Sequence, residues 1–589
     1  MNSPHQSHYS DPEISNPEDF EFDESQETGA SIDGMGFLTL EPSKAGYTGP
    51  QSGIAALKLL RSMPAAHLVE IGDENPLLLD TGDLTPDVSR LWQRPDQATL
   101  VDDYFRFYHP AYPLLHEGSF RARASGAIAK PKDGSWPLLY NMVLAMGAFA
   151  GDTHGGDSDL PYFRAASESV TLSVIEKGSL CYVQGLMLMA NYLQKRGNKP
   201  NAGFALIGIA WSMALAIGLH REFGPYGTTP FSMELRRRTW WTLFIFVSGA
   251  QLTLGRPPAS LTGINVRCPV NVDDDQLVVD MDALPQEQEV PTATSCLIAQ
   301  IPFAEITNTV QSELLNNPFP DAAVVKELDG RIETWRANLP PYFHAEAQFK
   351  WSFELSRRVL LWRSHHLLIV LNRPFLFQAV STGSVLSTAG EPVRRCIHTA
   401  DVCADSICGF LAANSNYPRG FAWYATYWLI SASFIHAICF AYAPTDPAAE
   451  SWKSKVEQSI TALESLGFAH CMAEKACKML QRFYSAYCIT QRTYHECIDP
   501  ADRCTAPISA QQSTSEALPR FMAENFGLIG DGQANDINWM NHQWGLHGPS
   551  TVPNDASMSW SWPRSLNAEF LDAAGANLFH EYQDGFSAL

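Results

Sequence analysis

Met233 to Pro257 reads MELRRRTWWTLFIFVSGAQLTLGRP, and this stretch decides the fold. Its charges sit at the start, on Glu234, Arg236, Arg237 and Arg238, and none follows until Arg256. A run this long, apolar on every side and ended by Gly255 and Pro257, predicts a helix from Ser232 to about Leu254 in the middle of an all-helical domain. Glu234 and Arg238 fall i, i+4 on that helix, where opposite charges meet.

The same pattern extends in both directions. Upstream, LVDDYFRFYHPAYPLLHEGSF has helical spacing from Leu100 to Tyr108, and Pro110 ends the run. Trp136–Phe149 is apolar, and a turn-rich loop follows over Gly151–Asp159. Leu172–Arg196 and Ala202–His220 read as an antiparallel helix pair across the turn Gly197–Pro200. Downstream, CPVNVDDD at Cys268–Asp275 is an acidic loop. Helices are expected near 296–317, 321–338, 350–371, 391–413, 420–442, 449–465 and 470–495. Strand patterns are scarce, so the class is all-α, with one large domain over 96–500. Residues 1–35 carry acids and no Lys or Arg, and predict a disordered segment. A linker with a short helix occupies 36–95, and a disordered tail with acidic and aromatic residues is expected over 505–589.

Composition narrows the function. The 589 residues are 45% hydrophobic, enough for a large core, and carry a net charge of -22, which disfavours direct contact with nucleic-acid phosphates. Twelve cysteines are scattered with no C-x2-C pair, as in a reduced interior and unlike a zinc ribbon or cluster. Gly420–Pro444 is uncharged and long enough to span a bilayer, and Ala202–Leu219 is nearly as apolar. Their small and hydroxylic residues, and the lack of Lys/Arg bias in the flanks, favour buried helices over membrane spans.

Patterns for catalysis are missing from the sequence. H-E-x-x-H, the Walker loop and G-x-S-x-G do not occur, and Gly34-Met35-Gly36 lacks the third glycine of a dinucleotide loop. His365 and His366 are adjacent, so their imidazoles leave a helix in different directions. His154 with Asp152, Asp157 and Asp159, or Asp273–Asp275, could hold a cation, although a solvated turn is the commoner use of such residues. Cys396 and Cys403 share an apolar face. No nucleophile, base and orienting group can be named together, and the chain is read as a non-enzyme with no cofactor or metal of its own.

The order of these segments resembles the fungal-specific regulatory domain of binuclear zinc cluster transcription factors. The resemblance rests on Tyr104, Phe105, His109 and Pro110, on the helix ending in Gly218, His220 and Arg221, and on Glu234, Arg237, Arg238, Trp240, Trp241, Gly255, Arg256 and Pro257. Arg373-Pro374-Phe375 completes it. These are fold markers rather than catalytic residues. One departure is Val247, where the family usually has an Asp. The resemblance implies a nuclear regulator of a metabolic or biosynthetic gene set, working with coactivators or other regulators and with a small-molecule effector, and not a membrane protein. It also implies a DNA-binding zinc cluster ahead of the domain; residues 1–95 contain no cysteine. Zinc would enter only with such a cluster upstream, and otherwise DNA is reached through a partner. Trp539, Trp544, Trp560, Trp562, Phe570 and Phe579, set among acids, fit an activation segment; a tail with incidental aromatics, or one packed on the domain, fits equally. The alternative reading is a ligand-sensing helical interaction protein or cofactor without DNA contact.

Overall fold

Helices carry the order of the chain, and no strand occurs among the described residues. The computed structural model describes residues 52–63 and 96–497, apart from 154, 172–173, 175–177, 197–198, 225–226, 345–350, 415–416 and 468–470. The N-terminal segment 1–35, most of the linker and the tail 505–589 with its six singled-out aromatics lie outside the described residues, as does His154.

One layer of helices comprises α2 (Gln97–Asp103), α3 (Glu117–Ala124), α4 (Trp136–Gly151), α5 (Leu160–Ser167), α6 (Leu180–Lys195), α7 (Pro200–Ala216) and α8 (Pro230–Leu254). Their apolar faces close one core around Tyr104, Met142, Phe149, Tyr192, Trp240 and Phe244. A second group comprises α11 (Trp351–Ser381), α12 (Glu391–Ala413), α13 (Arg419–Tyr442), α14 (Ala449–Gly467) and α15 (Cys471–Cys497). With α1 (Ile54–Ser62) it closes another core around Trp362, Phe377, Cys403 and Phe434. Between them, α9 (Ser295–Asn316) and α10 (Ala322–Ala337) pack on the first part of α11. Each large apolar side chain fully enclosed in these cores contributes about 1.5–3 kcal/mol relative to exposure.

The charge-free composition of Gly420–Pro444 now has its physical reason. Helix α13 packs against α1, α4, α11, α12, α14 and α15, so no face is left for a charge. Its most apolar 18-residue window is 83% buried inside the protein, the placement of a core helix. Helix α7 departs from the expectation of a wholly buried helix. Gly203, Ile207, Ala210 and Ala214 face inward, whereas Ala202, Ala205, Gly208, Ser212 and Leu215 are exposed. Its outward residues are mostly small, so the open face presents little apolar area despite the hydropathy of the run.

Two boundaries also shift. Of the helix expected over Leu172–Arg196, α6 covers Leu180–Lys195, starting where Ser179 is extended and its Oγ accepts the Tyr182 N–H at 3.3 Å as an N-cap; residues 172–173 and 175–177 lie outside the described residues. In the other direction, α11 continues through Pro374 to Ser381, ten residues past the expected end at 371. Burial of Leu376, Phe377 and Val380 in the core holds the helix together across the proline.

Helix α2 passes directly into one turn of π-helix over Tyr104–Tyr108, closed by the His109 N–H on the Tyr104 carbonyl at 3.0 Å. The wider turn brings Tyr104, Phe105 and Tyr108 into the core together. Gly147 lets α2 lie directly on α4: a Cβ there would stand 1.9 Å from the Leu100 carbonyl oxygen. Gly255 ends α8 in the left-handed conformation, φ 60°, which favours glycine.

Candidate functional site

The N-terminal third of α8 builds a buried ionic hub. Thr229 caps the helix, its Oγ1 accepting the Ser232 N–H at 3.1 Å, and Pro230 occupies the first turn. Glu234, Arg237 and Arg238 then fall at i, i+3 and i+4 on one face, all almost fully buried. Glu234 accepts from Arg238 Nε and Arg237 Nη1, each at 3.3 Å, and from the Val270 N–H at 3.1 Å. Arg238 also donates Nη1 to Asp274 at 2.5 Å, and Arg237 pairs with Glu222, which holds Arg267 as well. Three carboxylates therefore face three guanidinium groups.

Asp274 joins the hub to the start of the domain. Its Oδ2 accepts the Glu117 N–H at 2.7 Å, and His116 Nε2 donates to its carbonyl oxygen at 2.8 Å. The other ring nitrogen, Nδ1, accepts the Ser119 N–H at 3.1 Å and so caps α3. His109 Nε2 lies 3.6 Å from Asp274. Burial raises the Asp274 carboxyl, but Arg238 and His109 outweigh it and hold it at about 2. Burial takes the His109 imidazole down to about 4, with Arg238 and His116 acting in the same direction against Asp274. Glu234 is shifted up, since burial outweighs its two arginines.

The other sequence-marked residues serve different joints. Arg236, the third of the arginine run, donates to the carbonyls of Ile217 and Gly218 at 2.9 and 2.8 Å, closing the end of α7. Gly218 has φ +68°, Arg221 is exposed, and His220 lies beside Trp240, whose ring is 4.8 Å from that of Trp211 and tilted by 37° to it. Trp241 donates its indole N–H to the Arg267 carbonyl at 2.8 Å. Past Gly255, Arg256 reaches Asn201 at 2.7 Å, and Pro257 is exposed. Arg373 donates to the Ser52 carbonyl at 2.8 Å, tying α11 to the turn before α1, with Pro374 buried beside it. Tyr104, Phe105 and Pro110 surround His109 in the first core or at its edge. Val247 packs among apolar residues there, so the position that departs from the family pattern holds no unpaired charge.

The acidic loops are occupied by bases rather than arranged for a cation. Asp157 and Asp159 pair with Arg196 at 2.6 and 2.9 Å, Asp152 with Arg419 at 3.5 Å, and Asp273 accepts the Ala293 N–H at 3.1 Å. His365 and His366 do diverge: His366 lies on Trp428 at 4.8 Å, while His365 faces the side of Arg336, Arg395 and His398. No group of three His, Cys, Asp or Glu residues with the geometry to hold a metal occurs among the described residues.

Sequence reasoning missed a second interior feature, where α6, α8 and α9 meet α11 and α13. Two adjoining cavities, of about 70 and 40 Å³, share Ala111, Tyr112, Lys195, Ser356, Val359 and Tyr424 as walls. Lys195 is 3% exposed and Arg363 8% exposed. The Lys195 ammonium donates to the Tyr424 hydroxyl at 2.5 Å and lies 4.2 Å from the centre of that ring; Tyr424 and Tyr112 hydroxyls are 2.8 Å apart. Burial pushes the Lys195 ammonium well below the ordinary lysine range. The available signal was faint: single bases, Lys195 and Arg363, inside otherwise apolar helical runs.

Comparison with known proteins places this architecture. Residues 101–337 match the fungal specific transcription factor domain. The chain is 26% identical over 446 residues to the lactose regulatory protein LAC9 of Kluyveromyces lactis, covering 72% of this chain and 47% of that protein. It is 28% identical over 259 residues to the thiamine repressible genes regulatory protein thi1 of Schizosaccharomyces pombe, 41% of this chain and 32% of that one. An ABC-transporter-regulating transcription factor of Aspergillus oryzae matches at 26% over 289 residues, 44% and 30% of the two chains. The matched part thus spans about half the length of LAC9 and about a third of the other two. The hub of Glu234, Arg237, Arg238 and Asp274, with the His109 turn packed on it, lies within residues 101–337, the part of the chain that matches the fungal specific transcription factor domain.

Proposed function

We propose that this chain is a nuclear regulator of transcription of a fungal metabolic or biosynthetic gene set, and that the helical body is its regulatory part. The match of residues 101–337 to the fungal specific transcription factor domain carries the reading. Support also comes from the charge balance of the α8 hub, where each carboxylate meets an arginine and nothing is arranged for acid–base or nucleophilic catalysis. We therefore read the protein as a non-enzyme. The net charge of -22 makes the chain as a whole a poor direct ligand for DNA. Promoter specificity is then supplied by a DNA-bound partner or by a zinc cluster preceding these residues, and the aromatic residues Trp539–Phe579 among their acids engage coactivators.

The test is to join the full chain to a heterologous DNA-binding module and read a reporter gene. The expected result is a several-fold change over the module alone, reduced when residues 505–589 are removed. A reporter unmoved by the full chain, together with a transcriptome unchanged by deleting the gene, would overturn the proposal. A fluorescently tagged chain that stays out of the nucleus would refute the location.

A further inference from the structure

Helices α3 and α8 each carry arginines that are matched by acids and one that is not. On α3, Arg121 pairs with Asp102 at 2.7 Å and with Glu117 at 2.8 Å; on α8, Arg237 and Arg238 belong to the hub. Arg123 and Arg236, by contrast, pair with no carboxylate of a described residue, and both line one half-open pocket of about 430 Å³ between α3, α4, α6 and the start of α8. A pocket of that volume is in the range of small-molecule sites. Arg236 spends Nη2 on the Ile217 and Gly218 carbonyls, and its Nε is buried without a partner. Arg123 makes no hydrogen bond to a described residue, so its guanidinium fork is open.

The same walls also hold acceptors. Asp133, in the loop before α4, accepts the Ser135 N–H at 2.9 Å and the Ser135 hydroxyl at 2.5 Å. Burial raises its carboxyl, but hydrogen bonds from Ser135 and Ser179 outweigh this and hold it below the ordinary carboxylate range, so it is charged at neutral pH. Gln184 is buried, and its Nε2 donates to the Leu114 carbonyl at 2.9 Å and to Thr239 Oγ1 at 3.1 Å. Its side-chain oxygen receives no hydrogen bond from a described residue. Between these groups the wall is apolar, with the Phe120 and Trp136 rings 5.3 Å apart and Phe231 and Leu235 beside them in the lining. A simple anion would leave Asp133 and the Gln184 oxygen facing like charge, and a simple cation would do the same to the two arginines. A ligand that carries both charges around an apolar body matches every group.

We propose that this pocket binds a small zwitterion of amino-acid or dipeptide size with an apolar side chain. Its carboxylate goes to the Arg123 and Arg236 guanidinium groups, and its ammonium to Asp133 and the Gln184 oxygen. Its side chain lies against Phe120, Trp136 and Phe231. Cys181 stands half-buried in the same wall, so an occupant covers its thiol.

The test uses the purified full-length chain at pH 7 and constant ionic strength, titrated calorimetrically with L-leucine, L-phenylalanine and L-leucyl-L-phenylalanine. 3-Phenylpropionate and 2-phenylethylamine, which keep the aromatic body and only one of the two charges, are titrated alongside. At least one zwitterion should saturate a single site, and each one-charge analogue should bind at least about fivefold more weakly than the best of them. Arg123→Gln, at a side chain that holds no other element in place, should weaken binding at least about fivefold, as should Thr228→Trp, which fills the pocket from its rim. In thiol labelling, the saturating zwitterion should slow Cys181 at least about threefold and leave exposed Cys268 unchanged. The proposal is overturned if no zwitterion binds, if either analogue or either variant stays within about fivefold of the best zwitterion on the wild type, or if Cys181 labelling is not slowed to that extent. Any of these failures leaves the transcriptional reading standing, since the reporter test does not depend on a ligand.

Discussion

Replacing Glu234 with Ala removes the one carboxylate that both hub arginines of α8 share. Arg238 is fully buried, loses its 3.3 Å partner and keeps only Asp274; Arg237 keeps Glu222; the Val270 N–H loses its acceptor. Stripping one partner from a buried ion pair costs about 3–5 kcal/mol, and leaving a buried backbone donor unmatched costs about 1–3 kcal/mol. Since Arg238 and Arg237 retain second partners, we expect a net loss of about 3–5 kcal/mol. Urea denaturation at pH 7 followed by circular dichroism reads it as a lower midpoint at unchanged slope. Adding Arg238→Met to Glu234→Ala removes the charge that was stranded. The double variant should therefore lose less than the sum of the two single losses, by about 1 kcal/mol or more. A single-variant loss under about 1 kcal/mol, or strictly additive losses, would refute the view of the hub as a closed, mutually dependent network.

Acid should unfold the protein through its buried histidines. Burial lowers His109 to about 4 and His365 and His366 to about 3, so the unfolded chain takes up these protons first as pH falls below 6.5. Their contribution is complete above that pH and is lost on the way down to about pH 4 for His109 and about pH 3 for His365 and His366, at about 2 kcal/mol each by pH 5; a denaturation midpoint that stays flat between pH 7 and 5 would contradict this. Gly147→Ala should destabilise by about 2 kcal/mol or more, as the methyl group meets the Leu100 carbonyl oxygen at 1.9 Å, and a melting curve within 1 °C of wild type would show that α2 is free to move away. In native thiol labelling read by peptide mass spectrometry, exposed Cys268 should react well before Cys296, Cys396, Cys403 and Cys439, whose thiols are buried and pushed upward by that burial. Equal labelling of all five would mean that the cores open readily.

The sequence by itself determined the helical class and most helix positions, because those depend on local periodicity and on punctuation by glycine and proline. Helix α12 over 391–413 falls where its spacing placed it, and α8 ends at Gly255 as its composition required. Glu234 with Arg238 was legible too, since i, i+4 pairing is set by the pitch of one helix. Asp274 was not, because its partners Arg238 and the Glu117 N–H come from elements far away in the chain; in sequence it was one of three adjacent acids. Continuation of α11 through Pro374 was decided by the core it enters, which outweighs the local preference to stop. The open face of α7 likewise depends on which neighbours arrive, and none of them is written in its own residues. The cationic cavity is the clearest case. Lys195 and Arg363 are unremarkable bases in their own helices, and only the meeting of α6 with α11 and α13 removes them from water together, where Coulomb forces and desolvation give them chemical meaning.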